Sequence, residues 1–286
     1  MSFAVGIGIV TYNREAILSG TIDQVRAFTR QPDAALVVAD DGSSDGTLGM
    51  LRDKQVPVIT GVNMGIAWNK NRALFLLSHM LGCETVILLE DDTKPTRAGW
   101  EATLIKAAQR WGHVNFAGDW LHEHALSGTG TVDDPVRSKM VTAQCSAYSR
   151  AALTFGGYFD PKFRGYGHEH VEHTHRLVHL GYGGTANPAE GVIYYLIAAD
   201  LTVVTSHSHY NAAEEQRNLQ LAQRLMNQEG YRSPWGENGE LRQFRSEIES
   251  AMSNGPERFR LTPAACHPSP GRPSGRGLFS RMLHRS

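Results

Sequence analysis

The residues able to do chemistry in this sequence fall in four short polar runs. Each run directly follows an apolar stretch: Thr11-Tyr12-Asn13-Arg14, Asp40-Asp41-Gly42-Ser43-Ser44-Asp45, Asn63 to Asn71, and Glu90-Asp91-Asp92. Neighbouring carboxylates suit a hard cation, which takes oxygen ligands. A cation held this way offsets the charge of a phosphorylated leaving group. Glu90, Asp91 and Asp92 are the ligands expected for it. Each run has a plainer reading when taken alone. Asp-Asp-Gly-Ser is a good turn sequence, and Glu-Asp-Asp before Thr-Lys-Pro serves equally well as a solvated loop. Their common position at the ends of apolar runs favours a shared site.

The elements that must position these runs alternate in type. Ala4 to Val10 is apolar and β-branched, and Arg14 to Phe28 has helical spacing at Ile17, Leu18, Ile22, Val25 and Phe28. Ala34 to Ala39 is a second buried strand, followed by a helix through Leu48 and Leu51. Val56 to Thr60 is a third strand, Ile66 to Leu81 a helix closed by Gly82, and Thr85 to Leu89 a fourth strand. Strands alternating with helices predict a mainly parallel sheet covered on both faces. Ligands of such sheets bind at the carboxyl ends of the strands, where all four polar runs fall. Arg97 to Trp111 is again helical, with Trp100 and Trp111 on its apolar face and therefore core residues. Beyond it Val114 to Ala117, Met140 to Cys145 and Val192 to Val204 are strand material, separated by a long loop from Glu123 to Arg137. Two late helices are expected, Ala212 to Gln228 and Gly239 to Met252.

With the elements in this order, Val38-Ala39-Asp40-Asp41-Gly42-Ser43-Ser44-Asp45-Gly46-Thr47 resembles the nucleotide-binding loop of family 2 glycosyltransferases. Further signatures follow in the same order. Asn63-Met64-Gly65 with Asn69-Lys70-Asn71 is similar to the family's Asn-x-Gly…Arg-Asn element, with lysine in place of arginine, and Leu88 to Asp92 resembles its DXD motif. Gly156-Gly157-Tyr158-Phe159-Asp160 resembles the turn before the acceptor half. Gly165-Tyr166-Gly167-His168-Glu169-His170-Val171-Glu172…Arg176 resembles the start of the catalytic helix. The ordered set, spanning about residues 4 to 210, is far more specific than any one member.

The resemblance implies an α/β protein of GT-A type: a Rossmann-like nucleotide-binding half with a mainly parallel sheet, residues 1–112, fused to an acceptor-binding half, residues 113–257. It implies transfer of a sugar from a nucleotide-sugar donor, uridine-linked, to a hydroxyl of a glycan or lipid-linked acceptor, with Mn²⁺ or Mg²⁺ as cofactor. Thr11, Tyr12, Asn13 and Arg14 would hold the base, and Asp41, with Asp40 beside it, the nucleoside. Asn63, Gly65 and Asn71 complete the donor loops, and Lys70 would reach the pyrophosphate. Asp92 would contact the metal most directly, while Glu90 meets the ribose or a metal-bound water and Asp91 stands with it among the donor-binding residues. A late histidine, His207 or His209, would add a metal ligand, against the plain alternative of exposed histidines on an edge strand.

The catalytic base is where the sequence departs from the pattern. Inverting members place an aspartate after the first glutamate of Glu-Asp-x-Glu, and His170 stands there. A neutral imidazole is a competent base near physiological pH, so inversion remains the expectation. Glu169 is the alternative, as base or as acceptor-positioning group; a retaining relative with Glu-Asn-x-Glu keeps the other stereochemistry open. Glu169 could also simply cap a helix start. His168, His170, His173 and His175 with the two glutamates also resemble a metal cluster, but no His-Glu-x-x-His pair is present, which discounts a zinc hydrolase. A sugar-1-phosphate nucleotidyltransferase would need a Gly-rich phosphate loop after the first strand, which Thr11 to Arg14 is not. A non-catalytic sugar-nucleotide or glycan-binding module would have little use for carboxylates at both the metal and catalytic positions. Trp120, at the end of a short strand, is a candidate sugar contact.

Composition bounds the remaining classes. The 286 residues are 41% hydrophobic and 20% charged, the profile of a globular domain. The longest weakly charged apolar stretch, Gly191 to Val204, falls short of a membrane span. The start lacks a signal-peptide pattern, which places the protein in the cytoplasm as an expectation. Three unevenly spaced cysteines do not suit a disulfide framework. From Arg258 onward there are six arginines and no acidic residue; setting those six aside from the 28 Lys and Arg leaves 22 against 29 Asp and Glu. An acidic body excludes nucleic acid as the main partner. The tail, residues 258–286, is expected to be disordered and basic, and Leu278, Phe279, Met282 and Leu283 on one face of its end suit peripheral contact with an anionic membrane.

Overall fold

The computed structural model describes residues 3–118, 123–204, 211–226, 228 and 230–262. Four strands, β1 (Val5–Thr11), β2 (Ala34–Asp40), β3 (Val58–Thr60) and β4 (Thr85–Glu90), lie in the order β3-β2-β1-β4 and are all parallel. Both faces of this half are covered, so its strands are apolar throughout rather than alternating. In β2, Ala35, Val37 and Ala39 enter one core with Trp68 and Leu77, while Ala34, Leu36 and Val38 enter the other with Leu18 and Ile22.

The helices α1 (Glu15–Phe28), α2 (Thr47–Asp53) and α3 (Ile66–Phe75) follow β1, β2 and β3. The helix expected over Ile66 to Leu81 changes pitch after Phe75, where a π turn spans Leu76–Met80. This helix packs closely on β1. A Cβ at Gly6 would come within 2.9 Å of Leu77 and Cys83, so only glycine permits the approach.

Beyond β4 the sheet becomes mixed. The remaining elements are β5 (Thr93–Pro95), α4 (Glu101–Trp111), β6 (His113–Phe116), β7 (Ala125–Ser127), β8 (Val136–Ser138), β9 (Cys145–Ser149), α5 (Arg150–Gly156), α6 (Glu169–His179), β10 (Gly184–Asn187), β11 (Gly191–Ile197), β12 (Leu201–Val203), α7 (Ala212–Leu225) and α8 (Asn238–Met252). The sheet continues β4-β9-β6-β11-β8-β7, with β9 antiparallel to both β4 and β6, and β10 paired with β11.

Several boundaries differ from the sequence reading. The strand expected over Met140 to Cys145 instead begins at Cys145, because the segment wedged between β4 and β6 is the polar-looking Cys145-Ser146-Ala147-Tyr148-Ser149. Its hydroxyls are satisfied inside the sheet: Ser146 Oγ donates to Asn115 Oδ1 at 2.7 Å. The long loop from Glu123 contains β7 and the start of β8. Val192 to Val204 is two strands, since the chain leaves the main sheet after Ile197 and β12 pairs with β5. Residues 258–262, assigned by sequence to a disordered tail, are docked. Phe259 and Leu261 are buried, and Leu261 N donates to the Ala34 carbonyl at 2.8 Å on the edge of β2. The rest of the tail, with its amphipathic end, lies outside the described residues, as do Trp120, His207 and His209. No helix among the described residues is long and apolar enough to cross a membrane.

Candidate active site

The carboxyl ends of β1, β2 and β4 open into a cleft of about 580 Å³. It gathers Thr11, Tyr12, Asn13 and Arg14 from the loop after β1, Asp41 from the loop after β2, and Asn63 and Gly65 from the loop after β3. Glu90, Asp91 and Asp92 follow β4 on the same side, and Glu169 and His170 come in from the start of α6. Of the residues singled out by sequence, Asp40, Lys70 and Asn71 do not line it.

The base-side loops hold one another in place. Asn13, at φ 53°, accepts at Oδ1 from Ser44 N at 2.7 Å, and its own N–H donates to Ser43 Oγ at 2.8 Å. Asp40 accepts from the N–H groups of Gly42 and Ser43 and from Thr60 Oγ1 at 2.7 Å. It is therefore a buried brace for the loop and not the donor contact expected of it. Asp41 accepts from Met64 N at 3.0 Å and Gly65 N at 2.9 Å. Burial pushes its carboxyl up, against those two N–H groups and Arg72. Gly65, at φ 93°, touches the turn before α6 so closely that a Cβ would lie 2.5 Å from Gly165 N.

Behind this loop α3 buries four consecutive polar residues, Asn69 to Arg72. Asn69 Nδ2 donates to the Ala39 carbonyl at 2.8 Å. Asn71, expected in the donor site, instead ties the two halves together, with Nδ2 donating to the Phe159 carbonyl and Phe159 N donating back to Oδ1, each at 2.9 Å. Arg72 is the functional residue that the sequence reading passed over. Its guanidinium donates to Asp41 Oδ1 at 3.0 Å, to the Val62 carbonyl at 2.9 Å and to Glu247 of α8 at 3.0 Å. An uninterrupted polar run inside an otherwise apolar helix was the available signal, because buried polar groups must find partners. Arg72→Lys keeps the charge but loses the fork geometry, so a loss of about 1–3 kcal/mol in stability is expected, checked by urea denaturation.

The Glu-Asp-Asp run splits between two environments. Asp91 turns inward, accepting from Thr11 Oγ1 at 2.7 Å and pairing with Arg14 at 2.8 Å. Burial pushes its carboxyl up to about 7, against the opposing pull of Arg14 and Thr11. Glu90 and Asp92, on either side, keep about a fifth of their side chains exposed, 20% and 18%. Lys70 Nζ lies 2.7 Å from Glu90 and 2.9 Å from Glu169, so its amine bridges two carboxylates rather than projecting to a pyrophosphate. A buried lysine demands this compensation. Burial alone would lower its pKa, yet the two carboxylates raise it further and keep it charged.

Among the described residues no group of three His, Cys, Asp or Glu side chains converges as a metal cage. The oxygen donors of Asp92 and Glu90 nevertheless fit a hard cation of the kind that binds one or two carboxylates and completes its shell with substrate phosphates.

Glu169 is the first residue of α6, whose N-cap residue His168 makes no side-chain capping hydrogen bond. Its Oε1 meets Lys70, with His170 Nδ1 3.5 Å away, and its Oε2 is buried without a partner. Burial raises its carboxyl, but Lys70 and His170 outweigh this and hold it well below the usual carboxylate range. Glu169 is thus an ionised carboxylate with a buried, unpartnered oxygen, placed in the first turn of α6 where the helix dipole also favours it. Glu172 does not share it. It pairs at 2.9 Å with Arg176, which also donates to the Gly156 and Tyr158 carbonyls and so holds the Gly-Gly-Tyr-Phe-Asp turn.

Among the described residues no three of these histidines and glutamates converge on one point, which weighs against the zinc-hydrolase alternative. His173 faces the core, bonded to the Gly157 carbonyl at 3.0 Å and packed on Phe159. Nearby His113 stacks on Tyr148. Burial lowers both, His113 to about 3. The unfolded chain would take up these protons near pH 6.5 while the native state refuses them, so stability must fall as pH drops from about 6.5 toward 3. A His113→Gln variant, less stable overall, should show a shallower acid slope in its melting temperature between those limits.

An open sheet with a parallel β3-β2-β1-β4 half, carboxylates at the end of β4 and a second, mixed half carrying an acidic helix start is the arrangement of a GT-A type fold. Residues 7–125 match the family model described as Glycosyl transferase family 2. Among solved structures, the chain is similar to the mannosyltransferase PcManGT from Pyrobaculum calidifontis in complex with GDP-Man and Mn²⁺, at 16% identity and TM-score 0.51, covering 92% of this chain and 68% of that one. It is also similar to GalNAc-T7 with UDP, GalNAc and Mn²⁺, at 15% identity and TM-score 0.56, covering 88% of this chain and 56% of that one. At such identities the likeness is one of fold. No curated protein matches the sequence.

Proposed function

We propose that this cleft transfers a hexose from a nucleotide-sugar donor, uridine-linked, to a hydroxyl of a glycan or lipid-linked acceptor, with inversion and with Mn²⁺ or Mg²⁺ bound. The observation that carries the reading is the meeting, in one cleft, of a base-side loop braced by Asn13 and Asp41, two partly exposed carboxylates at Glu90 and Asp92, and the unpartnered Oε2 of Glu169. The two structures of similar fold were each solved with a sugar nucleotide or its parts and Mn²⁺, which supports the choice of donor class and cation.

In this reading the donor lies along the strand ends, its nucleoside against Tyr12, Asn13 and Asp41 and its diphosphate toward Asp92. A bound cation would offset the charge that develops on the diphosphate as the glycosidic bond breaks. Arg14 and Thr11 keep Asp91 turned inward, which leaves Asp92 aimed at the cleft. Glu169 Oε2 orients the acceptor hydroxyl and takes its proton, while Lys70 keeps the carboxylate ionised for the task. His207 and His209 remain proposed additional metal ligands.

A thermal-shift panel of nucleotide sugars with and without Mn²⁺ tests this. A cognate donor at about 100 times its dissociation constant should add about 2.7 kcal/mol of stability, and only with the cation. No shift with any nucleotide or nucleotide sugar would overturn the reading.

A further inference from the structure

The last turn of α6, at the opposite end from Glu169, carries two imidazoles that face each other. His175 and His179 stand four residues apart, which places them on one face of the helix. Their Nε2 atoms are 3.2 Å apart, at the edge of a pocket of about 260 Å³ that Leu180, Met226 and Gln228 also line. We propose that His175 and His179 form a second metal site, for an imidazole-preferring divalent cation of the Zn²⁺, Ni²⁺ or Cu²⁺ type, distinct from the carboxylate site of the cleft.

The geometry supports this in two ways. With metal–nitrogen bonds of about 2.0–2.1 Å, the 3.2 Å separation subtends an angle of about 100°, close to tetrahedral. One cation between the two nitrogens therefore needs little movement of either ring. The other nitrogen of His175, Nδ1, lies 3.3 Å from the Tyr194 hydroxyl. An Nδ1–H donating to that oxygen leaves the Nε2 lone pair free, the arrangement in which an outer partner fixes the tautomer of a ligating histidine.

The local field permits a cation. Arg176 lines the same pocket, but its charge is matched by Glu172 at 2.9 Å and its remaining donors point at backbone carbonyls. Ligand type separates the two sites, since oxygen donors select Mg²⁺ or Mn²⁺ and imidazoles select later first-row ions. No third His, Cys, Asp or Glu completes the pair among the described residues, so water fills the rest of the coordination shell.

The test is calorimetric titration of the full chain with Ni²⁺, in a His207→Gln/His209→Gln background that removes the histidines proposed for the cleft cation. Relative to this background, His179→Gln should remove one Ni²⁺ equivalent per chain. His179 is exposed, so this change should leave the fold intact, which circular dichroism would verify. Tyr194→Phe should weaken binding about 10-fold. With Cu²⁺ in the same background, the electron paramagnetic resonance spectrum should show two coordinated imidazole nitrogens, reduced to one in His179→Gln. No Ni²⁺ binding by the background protein, or unchanged binding after His179→Gln, would overturn the site and leave a hydrogen-bonded histidine pair only.

Discussion

Asp92→Ala is expected to lower kcat by about 10³-fold or more while leaving the melting temperature of the free protein within a few degrees of wild type. The two halves of this expectation have separate grounds. Asp92 sits past the end of β4 with its carboxylate partly exposed, and its 3.3 Å contact with Arg14 is the longer of that arginine's two. Partly exposed ion pairs contribute little to stability. The backbone carbonyl of Asp92, which accepts from Val204 N at 2.8 Å, survives the substitution. What is lost is the carboxylate proposed to hold the cation, so donor binding should no longer respond to Mn²⁺. Asp91→Ala should behave in the opposite way, costing stability first, because Thr11 and Arg14 would lose a buried partner. Near-wild-type turnover by Asp92→Ala would remove the metal role assigned to it.

The first half of the molecule was legible in the sequence because its signals are local. Continuous apolar runs ended by turn-forming polar residues define parallel strands buried on both faces, and β1, β2 and β4 lie within a residue or so of where those runs place them. The second half was harder to read because its strands are short and their partners distant. β9 is mostly small and polar by composition, and only its position between β4 and β6 makes it a strand. The same limit applies to the site. Residue type and spacing brought Thr11 to Arg14, Asp41, Glu90 to Asp92, Glu169 and His170 to one cleft. The directions of side chains on α3 were not visible. A helix presents consecutive residues about 100° apart, so of the run Asn69-Lys70-Asn71-Arg72 only Asn69 lines the cleft, while the others brace a loop, a carboxylate pair and the opposite half. Lys70 and Asn71 were assigned to the donor because the resemblance is linear, whereas their roles depend on Glu169, Phe159 and Pro234 far along the chain.

Glu169→Gln is the substitution that most directly separates the proposed base from its neighbour. If Glu169 takes the acceptor proton, the amide should lower kcat by about 10²–10⁴-fold with little change in donor affinity. The pH profile then carries the distinction from His170. Lys70 holds the Glu169 carboxyl well below the usual range, so it stays ionised across the pH span in which the enzyme can be assayed. Its own titration therefore cannot produce an acidic limb near neutral pH. A limb between pH 5 and 8 would instead come from an imidazole or from Asp91, whose carboxyl burial pushes up to about 7, and its disappearance in His170→Ala is what would assign it to the imidazole. With Glu169 as base, His170→Ala should retain the shape of the wild-type profile and lose modestly in kcat, through the missing 3.5 Å contact with the carboxylate. With His170 as base, the same variant should lose about 10²-fold or more and any acidic limb with it. The fold gives a control for both. Glu172, one turn further along α6, is bonded to Arg176 and away from the cleft, so Glu172→Gln should cost stability without a comparable loss of kcat in the folded fraction. Near-normal kcat in Glu169→Gln, together with a collapse in His170→Ala, would transfer the proton to the imidazole and leave Glu169 as a counter-charge for Lys70.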